Sequence, residues 1–264
     1  MTSTAVVRTT RRPVDRALIG FFAAAFLLPW AVWGSRIAQD HGWLGWHLPG
    51  GTALWTLVPV TATAVALTGG RAGFADLGRR LVRWRLPVRW YVAAVGIPLG
   101  LAVVASGIGA TVSGAAHLGE TLALPAAAAY LVYGPGLFLL TEEAAWRGFA
   151  LPRLMTRFSP LAASLVLGVV WAAWHAPLFL MSGESDSSVP FAGFAVLTIA
   201  TSVIVAWLYV RTGGSVLLCA LFHAVADAAY SYAGVVGREH SAFWTAVVLE
   251  VAVAAWLALR GEWH

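Results

Sequence analysis

The sequence contains no lysine: all 17 of its basic residues other than histidine are arginine. It has one cysteine, Cys219, which excludes an internal disulfide and any metal site built from several thiolates. A small apolar residue in a helix accounts for that cysteine. Charge of either sign is scarce, at 11% of residues, where a soluble domain carries about 25%. With 59% hydrophobic residues and a mean hydropathy of +0.77, that scarcity excludes the ordinary soluble class and points to a membrane protein. No internal repeat, low-complexity tract or soluble domain is recognisable, so residues 1–264 read as a single integral membrane domain.

What is present fits that class. Fourteen tryptophans suit membrane–water interfaces. A spanning helix takes about 20 apolar residues, and eight segments qualify: Ala17–Ile37, Thr52–Thr68, Trp90–Val112, Leu122–Arg147 with an extension to Arg153, Leu161–Met181, Val189–Val210, Ser215–Ala233 and Ser241–Leu259. The expected fold is all-α, a polytopic bundle of about eight transmembrane helices. The first segment follows "RTTRRPVDR" but is long and precedes seven more, so it reads as an uncleaved first helix.

The net charge of +5 raises nucleic acid as a partner, since arginine excess can signal it. Here the arginines lie between apolar runs, which argues for membrane orientation and lipid contact and against nucleic acid. If eight spans alternate, Arg8, Arg11, Arg12, Arg16, Arg71, Arg79, Arg80, Arg83, Arg85, Arg89, Arg153, Arg157, Arg211 and Arg260 fall on one side, with Arg36 and Arg238 on the other. The positive-inside rule then puts both termini in the cytoplasm of a multi-pass cell-membrane protein. The stretch Phe74–Tyr91, basic and interleaved with Leu, Val and Trp, is expected either to lie along the inner surface near anionic lipids or to be a plain basic loop.

Ionisable groups inside spans are costly and therefore informative. They are Glu142, Glu143 and Arg147; His175; His223 and Asp227; and Glu250. Glu143 and Arg147 are four apart, acid first, and are expected to pair. Glu142 is rotated by about 100° from Glu143 and has no evident local partner, which makes it the functional suspect. Trp171 and His175 share a face, as do His223 and Asp227. Counting along the helices from the arginine-rich side puts Glu142, His175, His223 and Asp227 in overlapping depths, reached from the cytoplasm. Gly134, Pro135, Gly136 and Pro177 are expected to kink the neighbouring helices. His41, His47, His117, His240 and His264 are expected in solvated loops or at the terminus.

Three blocks, "EEAAWR", "WAAWH" and "HAVAD", resemble the signatures of the CPBP family of intramembrane proteases, also called Abi: E-E-x-x-x-R, an aromatic followed by x-x-x-H, then H-x-x-x-N or D. The resemblance implies a catalytic core over about residues 122–233 and peptide-bond hydrolysis inside the membrane on a peptide or protein substrate. Glu142 would activate water, with His175 sharing the proton or orienting the water. His223 would stabilise the oxyanion, and Asp227 would fix a histidine tautomer or act through water. Glu143, Arg147 and Trp171 would be structural support. A carboxylate shielded from water can serve as a base near neutral pH. Trp171 stands where phenylalanine is commoner, a mild change between aromatics. Asp227 stands where eukaryotic prenyl-protein proteases have asparagine, and an ionised carboxylate cannot donate to an oxyanion. No H-E-x-x-H block is present, yet Glu142, His175 and His223 could hold Zn²⁺ with an open water position. On the residues alone, a proton-coupled transporter using Glu250 is served equally well, and a non-catalytic immunity or scaffold protein would keep the same fold.

Overall fold

The computed structural model describes residues 16–237, 239–261 and 263. Arg8, Arg11, Arg12, Arg238 and His264 lie outside the described residues. Eight α-helices form the bundle: α1 (Arg16–Asp40), α2 (Thr52–Leu81), α3 (Val88–Ser113), α4 (Leu124–Leu140), α5 (Pro160–Trp174), α6 (Phe191–Arg211), α7 (Val216–Tyr232) and α8 (Ser241–Arg260). There is no β-strand among the described residues. A π-helical segment, Ala144–Ala150, and a last turn, Leu151–Leu154, continue α4, and a 3₁₀ segment, Ala176–Leu180, continues α5.

Seven helices are long and apolar enough to cross a membrane, counting α4 through Leu154 and α5 through Leu180; α7, with 17 residues, falls short of that length. It is wrapped by α3, α4 and α6 and buries most of its surface on them. Large apolar side chains elsewhere point outward: Leu67, Val132 and Leu259 are 80%, 84% and 88% exposed. Apolar surface of that extent is compatible with lipid, not with water.

Close crossings set the bundle. A Cβ on Gly168 of α5 would stand 2.9 Å from the Ile199 Cα of α6, and one on Gly109 of α3 would stand 2.7 Å from the Ala242 nitrogen of α8. Small residues at such crossings let membrane helices gain van der Waals contact. Ser202 Oγ adds a 3.0 Å bond to the Ser164 carbonyl across α6 and α5. Ser159 and Ser215 cap α5 and α7 by accepting from the amides of Ala162 and Leu218, and Pro160 occupies the first turn, where its missing N–H costs nothing.

Alternation of the helices gives the molecule two ends. At one end α2 breaks at Gly70 (φ 49°, ψ −139°), a backbone that favours glycine, close to the expected end of that span at Thr68. The piece beyond carries Asp76, bonded to Arg80. Arg80 Nη1 also donates to the Tyr209 hydroxyl (3.0 Å), and Arg83 Nε donates to the Thr212 carbonyl (2.9 Å). Half of Phe74–Tyr91 is thus helix docked on α6 and α7, while Trp84 stays exposed. At the other end, loops 114–123, 181–190 and 233–240 are stitched together. Thr121 Oγ1 donates to the Val236 carbonyl (2.7 Å), the Gly119 amide donates to the Tyr232 carbonyl (2.7 Å), and His240 Nε2 bonds the Ser188 carbonyl (2.7 Å). His117 is half-buried against Glu120 (3.0 Å). His240 is therefore a fastening between loops and His117 a partner of its own loop, contrary to the expectation of free solvated rings.

Candidate active site

The site begins where α4 fails. The helix runs through Gly134, Pro135 and Gly136, where a kink is expected, and breaks instead at Thr141 (φ −101°, ψ −94°). Glu142 and Glu143 sit on the break, just before the π-helical turns, a geometry frequent at functional sites. Both carboxylates and Arg147 are buried, the last with no exposed surface. Arg147 Nη1 donates to Glu143 Oε1 at 2.8 Å, the expected pair, and the guanidinium lies 4.5 Å from the Trp171 ring centroid. Such a contact between cation and aromatic face is attractive.

Glu142 does have a local partner, against expectation. Trp146, four residues on, donates its Nε1–H to Glu142 Oε2 (3.3 Å), and Trp171 Nε1 donates to the same oxygen at 2.8 Å. An indole N–H only donates, so both tryptophans fix this oxygen as an acceptor. The replacement of phenylalanine by Trp171 is consequently more than a mild change, because phenylalanine has no N–H to give.

His175 caps α5. Pro177 has no N–H and cannot continue the helix, so the chain turns into the 3₁₀ segment directly after His175. His175 Nδ1 donates to the Trp171 carbonyl at 2.8 Å; a carbonyl only accepts, which puts the hydrogen on Nδ1 and leaves Nε2 for the interior. His223 is held in the same manner by a different group. Its Nδ1 lies 2.9 Å from Glu143 Oε1, its ring stacks on Phe138 at 3.7 Å and 6°, and its Nε2 is 3.9 Å from Asp227 Oδ1. Asp227 Oδ2 accepts from the Tyr130 hydroxyl at 3.1 Å. Glu143 thus orients His223, serving Arg147 and His223 with one oxygen.

Glu142, His175, His223 and Asp227 all line one cavity of ≈ 340 Å³. Thr121, Ser185 and Val236, from the three stitched loops, also line it. His175 caps the end of α5, one residue past Trp174, and Asp227 lies five residues, about 7.5 Å at 1.5 Å each, before the end of α7 at Tyr232.

Zinc fits this arrangement poorly. Among the described residues no three His, Cys, Asp or Glu side chains converge to hold a metal ion, and Glu142 Oε2 is already taken by two indoles. Glu250, the remaining intramembrane acid, accepts from the Thr201 and Tyr230 hydroxyls and is 1% exposed. A satisfied buried carboxylate accounts for it without a proton relay.

Three side chains of the site were not anticipated as such. Trp146 had a readable signal, its spacing of four from Glu142. Tyr130 and Phe138 had none, since their partners Asp227 and His223 are 97 and 85 residues away in sequence.

The fold is that of a polytopic helical membrane protein, with two imidazoles and two carboxylates lining a recess among its spans. Residues 124–229 match the family model of the Rce1-like, Type II CAAX prenyl endopeptidases. The chain is 30% identical over 100 residues to CAAX prenyl protease 2 of Methanococcus maripaludis, a match over 34% of this chain and 37% of that protein. It thus matches little more than a third of the length of this curated relative. Both comparisons are with CAAX prenyl proteases, and the residues matched by the family model include all three sequence blocks.

Proposed function

We propose that this chain is an intramembrane endopeptidase that hydrolyses a peptide bond with water activated by Glu142 and His175. Glu142, held by Trp146 and Trp171, takes a proton from the water as its oxygen bonds to the scissile carbonyl carbon. The carbonyl electron pair moves to oxygen, and His223 can donate to that oxyanion whenever Nε2 carries a proton. The C–N bond then breaks as the leaving nitrogen takes the proton gathered by Glu142, with His175 Nε2 as the alternative carrier. Glu143 and Arg147 keep the His223 ring in place. Asp227, tied to Tyr130, forms the polar wall beside His223. No step is routed through zinc.

The observation that carries this reading is that four side chains from three separate helical runs line one cavity within the segment matched to the protease family. General base catalysis contributes about 10²–10⁴-fold. Glu142→Gln in proteoliposomes is therefore expected to lose peptide cleavage by about that factor. Cleavage at the wild-type rate would overturn the assignment, and an inactive wild type would favour a scaffold.

A further inference from the structure

We infer that Glu250, the buried acid that the hydrolytic mechanism leaves unused, is a positioning residue: it braces the wall of the cavity, built by α6 and α7, against which a peptide substrate lies. For its substrate this rests on the proteolytic reading, and for the brace on side-chain geometry. The helix that carries Glu250, α8, packs mainly on α3 and α6. Its carboxylate nevertheless joins three helices, because one oxygen accepts from the Tyr230 hydroxyl of α7 and the other from the Thr201 hydroxyl of α6. Both donors line the cavity shared by Glu142, His175, His223 and Asp227, while Glu250 stands behind the wall and does not line it. On α7, Tyr230 follows Asp227 by three residues, so the two share a face. The cavity face of α6 is Phe194, Leu197, Thr198, Thr201 and Val205, and none of the groups assigned to the chemistry comes from that helix. A side of the recess without reacting groups is the side left to hold the peptide. A carboxylate only accepts, so Glu250 takes the hydrogens of both hydroxyls and leaves their oxygens as acceptors, a match for peptide N–H groups. A carboxyl buried within a span is costly; here two bonds offset it, and both fix groups of the cavity wall.

Variants that cut the ties one at a time test this. Tyr230→Phe and Thr201→Val each delete one hydroxyl and keep the shape. Glu250→Leu removes both ties, whereas Glu250→Gln can restore them, accepting with its carbonyl and donating with its amide. The probe is the best-cleaved member of a quenched-fluorophore peptide library, assayed in detergent. A contact made equally in the ground and transition states acts on KM and leaves kcat alone. Tyr230→Phe and Thr201→Val are each expected to raise KM roughly two- to ten-fold, the worth of one neutral hydrogen bond, with kcat within about two-fold of wild type. Glu250→Gln is expected to lie nearer the wild type than Glu250→Leu. A role in stability alone would reduce the amount of active enzyme, lowering kcat with KM unchanged, and that outcome would overturn the inference. A second readout needs no cleavage. With meta-fluorotyrosine in place of all six tyrosines, the fluorine resonance missing from Tyr230→Phe belongs to Tyr230. It is expected to shift in Glu250→Gln, and an unmoved resonance would overturn the brace whether or not the protein cleaves anything. A shifted resonance in a protein that cleaves no peptide would uphold the brace and count against the proteolytic reading alone.

Discussion

Trp171 reaches the site by four contacts. Its N–H holds Glu142, its carbonyl holds His175, its face receives Arg147, and its ring lies 5.2 Å from that of His223. Trp171→Phe keeps the ring and the carbonyl and deletes the N–H alone. A hydrogen bond to a charged group contributes about 1.5–3 kcal/mol. If that bond sets Glu142 for attack, its loss lowers kcat/KM roughly ten- to hundred-fold. The melting temperature is expected to change little beside that of Glu143→Ala, which strands Arg147 in the interior and costs about 3–5 kcal/mol. Peptide cleavage and thermal unfolding of the two variants, measured side by side, check the contrast. Equal damage to stability in both would reduce Trp171 to a packing residue. The pair Glu143–Arg147 was legible in the sequence because helical spacing of four is local information. The bond from Glu143 to His223 was not, since it joins residues 80 apart whose approach depends on how α4 and α7 pack.

At the scale of elements, the apolar runs disclosed every span, with most ends displaced by a few residues, while α2 runs on past the expected end at Thr68 to Leu81 across the break at Gly70. The position of the break in α4 was hidden. Gly134, Pro135 and Gly136 carry the strongest local breaking signal, yet the helix survives there. A Cβ on Gly134 would come 3.2 Å from Ala224 Cβ, so at least this glycine serves the close approach of α7 and not a bend. Gly168 serves α5 and α6 similarly, but against backbone that cannot swing aside. Gly168→Ala is expected to destabilise the protein by about 1–3 kcal/mol, the usual cost of overpacking. Because α5 carries both Trp171 and His175, displacement there should lower cleavage as well. Differential scanning in one detergent, together with the cleavage assay, measures both; a melting temperature equal to wild type would mean that the crossing has room to spare.

The whole molecule has two unlike ends, one rich in arginine and one built of tied loops. Depth counted along a helix says how far a residue lies from one end; it does not say which end is open, because that depends on loops far apart in sequence. The arginine-rich end has its own consequence. Arg80 and Arg83 are spent on protein partners, whereas Arg85 lies against exposed Trp84, and Arg89 against Trp90. Arg85 and Arg89 are exposed and so are free to meet lipid headgroups, with the exposed Trp84 indole suited to the interface. Basic residues near an anionic surface contribute about 1 kcal/mol each. The double variant Arg85→Gln, Arg89→Gln is expected to lose roughly ten-fold or more of its preference for anionic over zwitterionic lipid. Lipid retention in native mass spectrometry measures this, and the wild-type preference should shrink as salt is raised, since exposed charges are screened over about 8 Å at physiological ionic strength. Preference unchanged in the double variant would locate the lipid contact elsewhere. Preference lost while Glu142-dependent cleavage in detergent persists would separate lipid contact at the arginine-rich end from the chemistry of the cavity.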